Sequence, residues 1–284
     1  MSVEAAPAVP ERCRVVAYQN QLDRTALARG VKKDDLYLSG SKVTIPNRAG
    51  VKGTSGNEFV FDSAFGPDTL PKSVARTAVP AAVDSVLGGL NHVLLVLGAS
   101  GSGKAEMLEG TSAAGSEDGR WEGLVEHLIK ALYVGVREVL ERSPTGSVFR
   151  LQLQFLHIVE ERVQDLLEPD CHTHDLELMD DEETGTLVRD AEPEELKGEA
   201  HAIGLYRGGI QSLRSLARYH EVDIDAACSV LTLTLTQRVP INARDDPSGA
   251  AFLSKRASVS VVNLPGTEWL REPSDAYELQ VRIR

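Results

Sequence analysis

Ten residues, Gly98 to Met107, read GASGSGKAEM directly behind the apolar run HVLLVL. Gly, four residues, Gly, Lys is the spacing of a phosphate-binding loop. In such a loop Gly98, Ser100, Gly101, Ser102 and Gly103 turn backbone N–H groups onto phosphate oxygens, and Lys104 brings a positive charge to the β and γ phosphates. The pattern then asks for Ser or Thr, whose hydroxyl is a ligand of the nucleotide's magnesium. Position 105 is Ala. The expected ligand is therefore ATP or ADP, weakly held, with the magnesium position in question.

Other candidate constellations carry less chemistry. Cys171, His172, His174 and Asp175 stand close together, but no second ligand pair lies at zinc-site spacing, and the stretch reads as an acidic turn. The acidic run Asp180 to Glu183 reads as a solvated loop able to dock a basic partner, and Trp121 and Trp269 as packing residues. Cys13, Cys171 and Cys228 are too few and too scattered for a disulfide framework, which fits a reducing, cytoplasmic setting.

A phosphate loop works only between a strand and a helix, and the chain supplies both. HVLLVL (92–97) is apolar at every position but its first, the pattern of a strand covered on both faces. Helical spacing marks 69–90, 120–142 and 201–220. Strand patterns occur at 12–19, 58–65, 147–167, 229–239 and 257–264, with short β-like pieces between 20 and 57 and an acidic hairpin or loop over 168–200. Alternating strands and helices predict an α/β fold: one domain over 13–284 with a central, mostly parallel sheet flanked by helices, after a flexible tail at 1–12.

Composition excludes several classes. The chain has 284 residues, 42% of them apolar, enough for a packed core. Thirty basic against forty-two acidic residues give a net charge of −12, which argues against nucleic acid and anionic membranes as partners. No apolar run approaches the roughly 20 residues that span a bilayer.

The order of segments resembles the motor domain of the kinesin family. FVFDSAFGPDTL is similar to the family's F-x-FD-x-VF strand and turn, and AAVDSVLGGLNHVLLVLGASGSGKAEMLEG to its helix, strand and AYGQTGSGKTYTMEG loop. LQLQFLHIVEERVQDLLEP resembles VSFLEIYNEKVYDLL, LTLTLTQ the strand after the first switch, and VVNLPGTE the second-switch LVDLAGSE. The resemblance implies a nucleotide-hydrolysing fold of the phosphate-loop type, and it also marks what differs. Ala105 replaces the hydroxyl ligand of magnesium, and Asn263 replaces the aspartate that binds water of the metal's shell, while Gly266 and Glu268 of the second switch remain. EVDIDAACS (221–229) stands where the first switch, NxxSSRSH, should be and keeps no member of it; VVAYQNQ (15–21) lacks the RxRP of adenine recognition.

Phosphoryl transfer depends on positioning and charge neutralisation, so these losses together predict a domain without useful turnover and with no catalytic residue to name. By resemblance, the residues after the second switch are too few for the C-terminal helices that carry the family's basic microtubule contacts, so the expectation is either a protein partner against that side or a sequence that is part of a longer polypeptide. Three functions follow: a degenerate kinesin-like module with a structural role among protein partners in a microtubule-associated assembly, tubulin included; a nucleotide-binding switch or slow ATPase using the retained loop; or an active motor. By resemblance the setting is the cytoskeleton, with the axoneme of a cilium or flagellum as one such structure.

Overall fold

The computed structural model describes residues 13–20, 36–45, 56–110, 121–159, 162–168, 175–181, 185–219, 227–240 and 252–266. The tail expected at 1–12 lies outside them. Two compact units divide the chain, Met1–Val74 and Ala75–Arg284.

In the first unit β1 (Val16–Tyr18) pairs in parallel with β5 (Ser63–Phe65), while β2 (Tyr37–Ser39), β3 (Lys42–Ile45) and β4 (Asn57–Val60) form an antiparallel sheet. The pattern at 58–65 predicts one strand, and the structure breaks it in two. At Asp62 the chain changes sheets: its backbone N–H donates to the Val15 carbonyl at 3.0 Å, and its carboxylate accepts the Val15 N–H at 2.8 Å. Those bonds tie Asp62 to the start of β1, so β5 leaves the β3–β4 ladder.

The second unit is built on a sheet in the order β11-β7-β12-β13-β6, with β8 pairing β7. The strands are β6 (His92–Val96), β7 (Val148–Val159), β8 (Arg162–Asp165), β11 (Glu194–Glu195), β12 (Cys228–Pro240) and β13 (Phe252–Asn263); β9 (Leu178–Asp181) and β10 (Gly185–Val188) form a separate hairpin. Helices α1 (Pro71–Gly88), α2 (Lys104–Glu109), α3 (Leu124–Arg142) and α4 (Glu199–Tyr219) complete the described elements. The α/β class is as expected, but the sheet is mixed rather than mostly parallel. Only β13–β6 is a parallel pair in it; β7 and β12 run antiparallel to all their neighbours, and β13 runs antiparallel to β12. The reason lies in the connection: β12 and β13 are joined by the short stretch 241–251, and a hairpin return gives an antiparallel ladder, whereas a parallel one needs a crossover. The single long β pattern over 147–167 likewise resolves into the antiparallel β7–β8 pair.

Alternation along the strands decides which side is the core. Leu231, Leu233 and Leu235 of β12 and Ala257, Val259 and Val261 of β13 face one way and are buried, and Thr232 and Ser260 face the other, their hydroxyls 2.9 Å apart. Against the apolar face pack Ala75, Val79, Ala82 and Val86 of α1 and Leu124, Leu128, Ile129 and Leu132 of α3, each at three-to-four-residue spacing, with Tyr206 and Leu213 of α4. A smaller cluster of Leu156, Val163 and Ala191 forms apart from it.

β6 departs from expectation. Leu94 and Val96 pack on the core, but Val93 and Leu95 are each 56% exposed. Full apolarity predicted cover on both faces; among the described residues β6 is the end strand of its sheet, and only its helix side is covered. No helix among the described residues is long and apolar enough to cross a membrane.

The glycines of α4 separate packing from space. Gly204 and Gly208 border an open groove of about 410 Å³, and a Cβ on either meets nothing within 4 Å. Gly204→Ala and Gly208→Ala are therefore expected to stabilise the fold by about 0.5–1 kcal/mol each, through helix propensity. Chemical denaturation midpoints that fall for both would contradict this.

Candidate phosphate-loop site

β6 delivers the chain to Gly98 and α2 takes it away at Lys104, so the strand, loop and helix context is present, although α2 is only six residues long. Two glycines make the turn: Gly101 has φ +73° and Gly103, the N-cap of α2, φ +97°, both in the region that side chains avoid. Gly98 is placed differently: a Cβ there would lie 2.4 Å from Ser102 Oγ, a contact that rotation of the serine hydroxyl can relieve. Inside this turn Lys104 is buried, and its ammonium donates to the carbonyls of Gly98 at 2.7 Å and Ala99 at 3.3 Å. An ammonium has three donors; two hold the loop closed, and the third remains for an acceptor brought to it.

Strand register brings the rest of the site to this loop. Val96, two residues before Gly98, pairs with Asn263 of β13, and Asn263 pairs with Ser229 of β12. The last residue of the stretch matched to the first switch thus lies directly across from the asparagine of the second. Ala105, Glu109, Tyr206, Ser229 and Asn263 line one narrow cavity of about 40 Å³. Asn263 Oδ1 is buried there without a hydrogen-bond partner. Gly266 is buried nearby in sequence; Glu268, residues 221–226, the Cys171–His174 cluster and Trp269 all lie outside the described residues.

The donor set does not fit magnesium. A hard divalent cation is held by carboxylates, hydroxyls and phosphate oxygens. Ala105 offers a methyl, Asn263 a neutral amide and Ser229 a single hydroxyl. The one carboxylate on the cavity, Glu109, is bound by the Arg214 guanidinium of α4. Burial raises the Glu109 pKa despite that partner. Among the described residues no group of three or more His, Cys, Asp and Glu could hold a metal. The loop itself still suits phosphate, through Lys104 and the glycine turn.

Two basic residues of α4 were not singled out from the sequence, although Arg207 and Arg214 stand seven apart, two helical turns, and so share a face. Arg207 grips buried Glu126 of α3 with both arms of its guanidinium, at 2.7 and 3.0 Å, and Arg214 holds Glu109 of α2. Between them Tyr206 donates to the Leu108 carbonyl at 3.2 Å; burial, then the Glu109 and Glu126 carboxylates, push its phenol far above the ordinary tyrosine range. Trp121 is a packing residue, as expected, with Nε1 donating to the Met107 carbonyl at 3.3 Å. These contacts fix the far end of α2, so Lys104 sits on a helix clamped from two sides.

Comparison with known proteins agrees with this architecture. The family model described as the kinesin motor domain matches residues 12–281. The chain is 25% identical over 210 residues to the Arabidopsis thaliana kinesin-like protein KIN-7K, chloroplastic, covering 74% of this chain and 20% of that one. It is 28% identical over 232 residues to kinesin-related protein 5 of Dictyostelium discoideum, covering 80% and 21%. It thus spans about a fifth of the length of these curated relatives. In three dimensions it matches the solved structure of a fast kinesin with a TM-score of 0.73 at 19% identity, over 89% of this chain and 65% of that one.

Proposed function

The chain belongs to the kinesin motor-domain family, and we propose that within it this domain is a binding module that no longer hydrolyses nucleotide and holds a place in a microtubule-associated assembly. One observation carries the reading: Ala105, Asn263 and Ser229, which line one small cavity beside α2, offer no charged metal ligand, and Asn263 Oδ1 is buried without a hydrogen-bond partner. Phosphoryl transfer draws its rate from charges placed around the phosphates, each on the order of 10²–10³. Losing the metal's hydroxyl ligand, the acidic group and the first switch together removes more than a slow enzyme can spare. A net charge of −12 further opposes direct docking on an acidic track, so another protein is the better bridge to it. No catalytic residue is assigned.

Steady-state ATP turnover, with and without microtubules, tests this. The expected rate stays at background in both, and microtubule-stimulated turnover overturns the reading. A tagged chain should co-localise with a cytoskeletal structure, the axoneme among those to be scored.

A second reading is favoured by the geometry of Lys104: a nucleotide-binding switch that uses Gly98, Ser100, Gly101, Ser102, Gly103 and Lys104 to hold ATP or ADP. Its support is the buried ammonium, with one donor beyond those that close the loop.

A further inference from the structure

We infer that magnesium opposes polyphosphate binding at this loop, the reverse of what a site with metal ligands shows. The inference rests on the second reading above, that Lys104 still takes phosphate, and adds the form of the ligand: free ADP or pyrophosphate rather than the magnesium complex.

The argument is one of charge and donors. A bare diphosphate meets the Lys104 ammonium and a turn of backbone N–H groups, and needs no cation besides. Asn263, paired with Val96 at the end of the strand that leads into the loop, brings no charge of its own. An aspartate at that position would call for a metal between itself and an oxyanion, whereas a neutral amide does not.

The magnesium complex meets the opposite situation. Its metal brings a tightly held water shell that gives way only to hard, preferably anionic, oxygens. Of the residues next to the loop, Ala105 offers it a methyl and Asn263 an uncharged amide, while the Glu109 carboxylate at the far end of α2 is already taken by Arg214. Complexation also masks the phosphate charge that Lys104 attracts. Magnesium therefore competes with the protein for the ligand, and apparent affinity falls by the factor to which it depletes free ADP, on the order of tenfold at millimolar excess.

Calorimetric titration of the whole chain with ADP, and separately with inorganic pyrophosphate, in EDTA and then in excess magnesium, tests this. The expected result is binding in EDTA that weakens about tenfold with magnesium and is lost in Lys104→Ala. The pair Ala105→Thr with Asn263→Asp is expected to invert the effect, so that magnesium strengthens binding. Tighter binding with magnesium in the unsubstituted chain overturns the inference and leaves phosphate binding standing. No binding of either ligand overturns both, while the non-hydrolysing module, which needs no ligand, survives. The unsubstituted chain decides the sign by itself if the paired variant does not fold.

Discussion

Gly110→Ala is expected to destabilise the second unit by about 3–5 kcal/mol, and Gly123→Ala by a similar amount. Gly110 ends α2 at φ +90°, and Gly123 begins α3 at φ +95°. An L side chain in that region costs on the order of 1–2 kcal/mol before any contact is considered. Contact then adds more. A Cβ on Gly110 would lie 2.1 Å from the Trp121 carbonyl oxygen, and one on Gly123 2.4 Å from that of Leu108. Both obstacles are backbone, which cannot rotate away, so the two segments must separate. Because each glycine faces the other's strand of chain, the separation forced by one substitution relieves the other, and the double variant should cost less than the sum. Denaturant midpoints for the singles and the double measure this. A Gly110→Ala midpoint equal to that of the unsubstituted chain would refute the close approach. The site is affected too, because the segments that separate include the Trp121–Met107 bond holding the end of the Lys104 helix.

What could be read beforehand was what repeats along the chain. Period-two alternation in LTLTLTQ and in ASVSVV marked β12 and β13, and three-to-four-residue spacing marked α1, α3 and α4, because each pattern faces a single layer. The phosphate loop was legible for a different reason: its glycines answer to local backbone geometry, and Gly101 and Gly103 do adopt positive φ. What escaped depended on neighbours distant in sequence. Nothing in HVLLVL says that the face of Val93 and Leu95 is exposed, since that depends on which elements pack over the sheet, and among the described residues the core covers only the face of Leu94 and Val96. Strand direction was missed because period-two alternation is the same in a parallel and an antiparallel ladder. EFVFDSAF hid its break because Asp62 is bonded to Val15, 47 residues away. At the site, Ala105 and Asn263 were visible as letters, but their meeting on one cavity with Ser229 required the register of three strands.

The ion pair between Arg207 and Glu126 is the second place where a large effect is expected, and its sign pattern separates two accounts of why it exists. Glu126 is buried on α3, whereas more than half of the Arg207 side chain meets solvent. Arg207→Met strands a carboxylate in the core-facing side of α3, at about 3 kcal/mol. Glu126→Gln leaves a guanidinium that simply turns to water and should cost about 1 kcal/mol. If the pair mainly neutralises a buried acid, Arg207→Met with Glu126→Leu should cost less than Arg207→Met alone, because no charge is left without its partner. If the pair instead adds binding energy between α3 and α4, the double should cost at least as much as the worse single. The burial asymmetry favours the first outcome. Raised salt should leave most of the coupling in place, since Glu126 lies out of reach of the ionic atmosphere. The consequence for function lies in what α4 leads to. In sequence it leads to 221–229, the stretch compared with the first switch, and a helix held to α3 by a buried acid keeps its place whether or not a ligand occupies the loop. A clamp of that kind suits a domain valued for a fixed surface, and the double-mutant cycle should give the same coupling energy with and without ADP.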